Sequence, residues 1–203
     1  MITEATLVYT GQGNLRSLRS ALEHVGVKTT MAESSADIDA ARSLVLPGVA
    51  STLAINEYLH RTEMWDPVSS YLNSGNQVLG ICAGLQVLAT HCTEGAEHRG
   101  FSVMPGTVTR IEKHPGLRVP HVGWSPVEHT DTADAAWFPN GDYYFTHSFA
   151  YTSSSDKEIL ALTVGEARVT AALQYANVVA VQFHPEKSQE LGLEFLSRWK
   201  HRA

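Results

Sequence analysis

QVLGICAGLQ, residues 77–86, runs a short apolar segment into a cysteine with glycines two positions away on either side. Residues 77–81 have the length and composition of a buried strand, and a helix is expected from Ala83, so Cys82 falls at the turn between them. Gly-x-Cys-x-Gly in that setting has the layout of a nucleophile elbow, with sulfur in place of a serine oxygen. Glycines at 80 and 84 permit a sharp turn that a Cβ would block, and the turn projects the side chain from the carboxyl edge of a sheet at a helix N-terminus. There the helix dipole favours thiolate over thiol. A free cysteine is as readily a small buried hydrophobe, so the elbow alone leaves two readings open: core filler or nucleophile.

The flanking sequence supplies the fold. ATLVYT (5–10) reads as a buried strand and GQGN (11–14) as a turn. Residues 14–25 then place Leu15, Leu18, Leu22 and Val25 at helical spacing until Gly26 stops the helix. VKTTM (27–31) and ARSLVLPG (41–48) are further strands, and 52–60 and 64–74 are helical. Strands alternating with helices predict an α/β fold with a central, mostly parallel sheet flanked by helices, of the flavodoxin-like kind. From about residue 101 the pattern changes to strands broken by Pro and Gly: FSVMPGTVTRIE, PHVGWSPVEH, YYFTHSFAYT, EILALTVG and VTAALQYANVVAVQFHPE. These predict antiparallel strands in the C-terminal half, with a hairpin turn in YANVVA. A last helix over about 187–201 turns Leu191, Phe195, Leu196 and Trp199 to one side.

At 203 residues, 43% hydrophobic and 18% charged, the chain is expected to form a single domain over 1–203. A net charge of -6 without a Lys/Arg block argues against nucleic acid and membrane surfaces as partners. The N-terminal residues lack the pattern of a secretory signal, and no apolar run approaches the ~18 residues of a membrane span; a cytoplasmic protein is expected. The two cysteines, Cys82 and Cys92, are too few for a disulfide framework and match no zinc spacing. No metal is expected, and no Walker A loop or dinucleotide fingerprint is present.

A second segment bears on the cysteine. In VQFHPEKS (181–188) an apolar strand runs into His184, with Glu186 two residues later. At strand period the two side chains point to the same side, so the carboxylate can orient the imidazole while the imidazole takes a thiol proton. His-x-Glu by itself is equally a strand-end histidine followed by a solvated charge. Gln86, one helical turn after Cys82, can present its amide beside an attacked carbon or simply face water.

Together, GQGNLRS (11–17), LPGV (46–49), GICAGLQ (80–86), PHVGW (120–124), FPNGDYYFTHSFAY (138–151) and VQFHPEKS (181–188) resemble the class I, triad-type glutamine amidotransferases. Within that family the combination of PHVGW, YFTHS and QFHPEKS is most similar to the glutamine-hydrolysing subunits of imidazole glycerol phosphate synthase. The resemblance covers nearly the whole chain, in family order. It implies that Cys82 attacks the side-chain amide carbon of L-glutamine, that His184 moves the proton and that Glu186 holds His184. It further implies an oxyanion hole from the backbone N–H groups of Val49 and Ala83, opened by a peptide flip at Gly48-Val49. Gly48, Ala50, Gln86, His147 and Ser148 would bind glutamine, and no cofactor would be needed. Asn14, Tyr144 and Lys187 would face a partner. That partner would be a (β/α)8-barrel cyclase subunit forming a heterodimer and using the ammonia to make imidazole glycerol phosphate and aminoimidazole carboxamide ribotide.

The chain departs from the family at several positions. Tyr9-Thr10 stand where many members have Asp-Tyr, Ala50 replaces the last glycine of P-G-V-G, and Ala83 and Leu85 stand where Leu and Met are common. Three other readings share these residues: a glutaminase feeding a different synthase, such as a sugar amidotransferase; a cysteine hydrolase of other specificity; and an inactive structural subunit.

Overall fold

The computed structural model describes residues 1–13, 15–114, 118–132, 135–165 and 168–202. Its first half is built from repeated strand–helix units: β1 (Glu4–Val8), α1 (Arg16–His24), β2 (Lys28–Ala32), α2 (Ser35–Asp39), β3 (Ser43–Leu46), α3 (Thr52–Arg61), α4 (Trp65–Leu72), β4 (Gln77–Ile81) and α5 (Ala83–Gln86). There follow β5 (Ala89–Cys92), β6 (Met104–Arg110), β7 (His121–His129), β8 (Gly141–His147), β9 (Phe149–Ser153), β10 (Ile159–Thr163), β11 (Thr170–Tyr175), β12 (Val178–Val181) and α6 (Gln189–Trp199).

Nine strands form one sheet in the order β2-β1-β3-β4-β12-β11-β10-β7-β8. The first five are parallel and the last four add on antiparallel. The central strands are apolar at every position because both faces are covered, and successive residues alternate between two cores. Leu79, Ile81, Val179 and Val181 pack with Leu18 and Leu22 of α1 and with Phe195, Leu196 and Trp199 of α6. Val78, Val178 and Ala180 pack on the other face with Ile38, Ile55, Leu59 and Val68 from α2, α3 and α4. A second sheet, β5-β6-β9, closes over the end of that second core through Cys92, Met104, Val108 and Tyr151.

The predicted α/β architecture is present, with four local differences. The helix after Cys82 is a single turn, Ala83–Gln86, and the chain soon re-enters a strand, so little helix dipole stands behind the sulfur. Both α2 and β5 have no counterpart in the sequence reading, because each is four or five residues long and mixed in polarity. YYFTHSFAYT is two strands, not one: the chain breaks at Ser148 and passes from the large sheet to the small one. Finally, β12 stops at Val181, and Pro185–Lys187 is a 3-10 turn, so His184 and Glu186 are not neighbours on one face of a strand. Their meeting is a product of the turn.

Candidate active site

Three adjacent parallel strands, β3, β4 and β12, end together at the carboxyl edge of the sheet, where ligands of open α/β sheets bind. Their registers pair Leu46 with Gly80 and Ile81 with Val181. The residues that follow are therefore forced together: Pro47-Gly48-Val49 from β3, Cys82 from β4 and Gln182-Phe183-His184 from β12. The Cys82 amide donates to the Val181 carbonyl at 2.7 Å, continuing the ladder one step past the strands.

Cys82 takes φ 55 and ψ -111, a backbone conformation that costs a non-glycine residue about 1–3 kcal/mol. Its flanking glycines act by closeness and not by positive φ. A Cβ on Gly84 would lie 1.8 Å from the Leu46 carbonyl oxygen and one on Gly80 3.0 Å from the Gly84 carbonyl oxygen; on the facing strand end, one on Gly48 would lie 2.6 Å from the Gly84 nitrogen. The elbow and the β3 strand end are thus stacked backbone on backbone.

His184 is 1% exposed, and its Nδ1 lies 2.8 Å from Glu186 Oε1. The carboxylate accepts, so Nδ1 carries the proton and Nε2 is the nitrogen available to the sulfur. Burial pushes the imidazole's pKa down, but its interactions with Cys82 and with the hydrogen-bonded Glu186 carboxylate outweigh it and raise the pKa to about 9. Among the described residues Nε2 has no hydrogen-bond partner, which leaves it free to take a proton from the sulfur. Ser188, buried, locks this turn: its hydroxyl donates to the His184 carbonyl at 2.7 Å and accepts from the Tyr144 amide at 3.0 Å.

A cleft of about 430 Å³ opens over the sulfur, within the size range of small-molecule sites. Val49, Ala50, Gln86, His147, Ser148 and Lys187 line it. Gly48 does not; it is buried behind, and its carbonyl accepts the Ala83 amide at 3.4 Å. The donor expected to meet an oxyanion is therefore occupied by the neighbouring strand. Val49 is 54% exposed, with its side chain against Gly13.

Gln86 is 3% exposed, not a surface helix residue. Its Nε2 donates to the Phe149 carbonyl at 2.7 Å and to Gln182 Oε1 at 2.9 Å. Both N–H bonds are spent, which leaves the carbonyl oxygen as the group it can offer a ligand. His147 is held similarly. Its Nδ1 donates to the Phe149 carbonyl at 2.8 Å, its Nε2 receives His121 Nδ1–H at 3.0 Å, and His121 Nε2 receives the Ser125 hydroxyl at 2.7 Å. Burial pushes both imidazoles down, His147 to about 4.

At the cleft rim Val122 and Trp124 are 57% and 47% exposed. Trp124 meets the Tyr144 ring edge-on at 5.9 Å, and the Lys187 ammonium lies 5.8 Å from the centre of that ring. Asn14 lies outside the described residues.

Sequence reading missed three groups here. Glu94 lines the cleft and accepts the Thr52 amide at 2.9 Å; nothing in its local sequence distinguishes it from a solvated carboxylate. His121 was legible only as part of PHVGW. Gln182, fully buried, places Nε2 3.5 Å from Cys82 Sγ; its one signal was an amide inside an apolar strand run.

The family pattern described as Glutamine amidotransferase class-I matches residues 6–200. A Cyanothece sp. protein named imidazole glycerol phosphate synthase subunit HisH is 38% identical over 192 residues, covering 92% of this chain and 90% of that relative. A relative of the same name from Rhodopirellula baltica is 38% identical, covering 96% and 95%. An Arabidopsis thaliana protein named imidazole glycerol phosphate synthase hisHF, chloroplastic, is also 38% identical, over 97% of this chain but 34% of its own length. Among solved structures, one titled as a glutamine amidotransferase superposes with a TM-score of 0.75 at 20% identity over 96% of this chain and 98% of that one. PurLQS from Thermotoga maritima gives 0.71 at 17% identity over 98% and 96%; both speak to the fold alone. An elbow cysteine beside a carboxylate-held histidine, in a chain matched from end to end, has one reading: the protein belongs to the class-I glutamine amidotransferases and, within them, to the HisH subunits of imidazole glycerol phosphate synthase.

Proposed function

We propose that this chain hydrolyses L-glutamine to glutamate and ammonia as the glutaminase subunit of imidazole glycerol phosphate synthase, and passes the ammonia to a (β/α)8-barrel cyclase subunit. The observation that carries the reading is the strained Cys82 elbow, held one strand away from the Glu186-bound His184, with both Cys82 and His184 lining the cleft. Cys82 Sγ attacks the amide carbon, and its proton passes to His184 Nε2. That proton then goes to the departing nitrogen, which leaves as ammonia, and a thioester remains. Water, deprotonated by the same nitrogen, cleaves the thioester to glutamate and restores the thiol. Glu186 keeps Nδ1 protonated throughout. Gln86 Oε1 and the backbone at His147 and Ser148 hold the substrate's polar ends, and the Glu94 carboxylate at the cleft wall suits its α-ammonium group.

The tetrahedral intermediate needs two backbone donors, Ala83 and Val49. With Gly48 O on the Ala83 amide the hole is closed, and turning the Gly48-Val49 peptide both frees that amide and supplies the second donor. One such donor is worth about 10²–10³ in rate, so the chain by itself is a slow enzyme and its partner is the activator. The apolar rim of Val122, Trp124 and Tyr144 supports docking of the cyclase there, with Lys187 available to an acidic group and Tyr144 beside the ammonia exit. The Arabidopsis relative's name, hisHF, with this chain matching about a third of it, supports the pairing. We further read residues 1–203 as one amidotransferase domain acting in the cytoplasm and in histidine biosynthesis; no helix of the described residues is long and apolar enough to cross a membrane.

The test is glutamine hydrolysis with and without the cyclase and its nucleotide substrate. The wild-type chain should be slow alone and strongly stimulated in the complex. Cys82→Ala should abolish glutamine-dependent synthesis and leave ammonia-dependent synthesis by the complex intact; glutamine turnover surviving in that variant would overturn the assignment.

A further inference from the structure

Gln182 is one of the few polar side chains with no exposure at all, and it sits on the residue next to the end of β12, where Val181 pairs with Ile81 of β4. The adjacency brings its amide to the nucleophile across 100 residues of sequence, Nε2 to Sγ at 3.5 Å. The two ends of a glutamine amide are interchangeable in shape, so what decides which end meets the sulfur is the surrounding hydrogen bonding. That is determined by a backbone carbonyl. Phe149 O can only accept, so the group of Gln86 facing it is NH2. The second N–H of that NH2 points to Gln182, which must therefore present Oε1 to it. The opposite end of Gln182, facing Cys82, is then NH2. An amide nitrogen accepts no hydrogen bond, so the sulfur is the acceptor in this contact and the thiol proton is directed elsewhere. The Thr146 carbonyl at 4.0 Å and the unpartnered His184 Nε2 are the acceptors nearby.

We propose that Gln182 is a further catalytic residue, an oriented amide donor to Cys82 Sγ that favours the thiolate as the proton passes to His184 and aims the sulfur at the cleft. This rests on the glutaminase reading only for what the thiolate then attacks. A hydrogen bond to the ionised form of a group favours that form, and here it adds to the pull of His184 where the one-turn α5 offers little dipole. The chain of donors also explains why Gln86 is tied inward: its NH2 orients Gln182 while its carbonyl oxygen remains for substrate.

The experiment is the pH dependence of Cys82 alkylation by iodoacetamide in the full chain, with Cys92→Ser as background to silence the second thiol. Alkylation needs neither glutamine nor the cyclase. In Gln182→Met, which keeps the side-chain length and removes the donor, the pH of half-maximal alkylation should rise by about one to two units, and the rate at neutral pH should fall about tenfold or more. Gln182→Asn keeps an amide in the core but withdraws it from the sulfur by one methylene. It should show the same displacement, and it stands in if the methionine variant does not fold. An unchanged alkylation profile in the folded variants overturns the proposal. If the profile moves as stated but the wild-type complex hydrolyses no glutamine, the glutaminase reading falls and the role of Gln182 at the sulfur stands.

Discussion

The reactive constellation works because individual side chains have been denied alternatives. Cys82 is locked into a conformation that L-residues avoid, His184 has one nitrogen committed to Glu186, and Gln86 has both N–H bonds committed before any substrate arrives. His147 shows the cost of such commitments. Burial holds its pKa near 4, against an ordinary value near 6.5, while the bond to the Phe149 carbonyl pushes it up and the neighbouring His121 and His184 push it further down. The folded protein therefore keeps His147 neutral at pH values where the unfolded chain takes up a proton. Its contribution is complete above about pH 6.5 and is lost as the pH falls towards 4, by on the order of 3 kcal/mol. Thermal unfolding followed from pH 7 to pH 4 should show a steeper loss of stability in the wild type than in His147→Asn. Parallel curves would mean that this buried imidazole pair does not govern acid stability.

At the scale of elements, the site depends on how closely strand ends and the elbow stack. Gly84 lies so near β3 that even a methyl group must collide with the Leu46 carbonyl, which is backbone and cannot swing aside. Gly84→Ala should therefore destabilise the protein by at least about 3 kcal/mol, the upper range of overpacking costs, as read from denaturant unfolding. It should also abolish hydrolysis by prising the oxyanion strand from the elbow. Sequence reading recognised that glycine was required at 84 but attributed it to the turn. The contact that requires it comes from residue 46, and no local pattern reveals a neighbour 38 positions away. The same limit applies to VQFHPEKS. The pairing of His184 with Glu186 was legible, but the strand expected to produce it ends at Val181, and a Pro-initiated 3-10 turn bends the carboxylate back onto the imidazole.

Across the whole molecule, the two halves of the chain divide the labour. The parallel strands converge the catalytic groups, while the antiparallel strands β7 and β8 carry the cleft's outer wall and the exposed rim of Val122, Trp124 and Tyr144. Trp124 is large, half exposed and packed on Tyr144, the profile of an interface anchor. Trp124→Ala should weaken association with the cyclase subunit by about 2 kcal/mol or more, roughly thirtyfold, in titration calorimetry. Hydrolysis by the isolated chain should be unchanged. Loss of activity without the partner would move Trp124 from the interface to the site.

The sequence by itself determined the elements that local chemistry dictates: apolar strands alternating with helices, the glycine-flanked cysteine, the His-x-Glu pair and a family pattern spread over nearly every segment. These follow from spacing and residue type, which a linear chain displays directly. Tertiary structure alone decided which groups meet across it. It placed Gln182 on the sulfur, turned Gln86 inward, brought Glu94 to the cleft wall and left the Ala83 amide bound to Gly48. The physical reason is that each of these is a hydrogen bond between neighbouring strand ends or loops, selected by sheet register and by the directions in which donors and acceptors are left free.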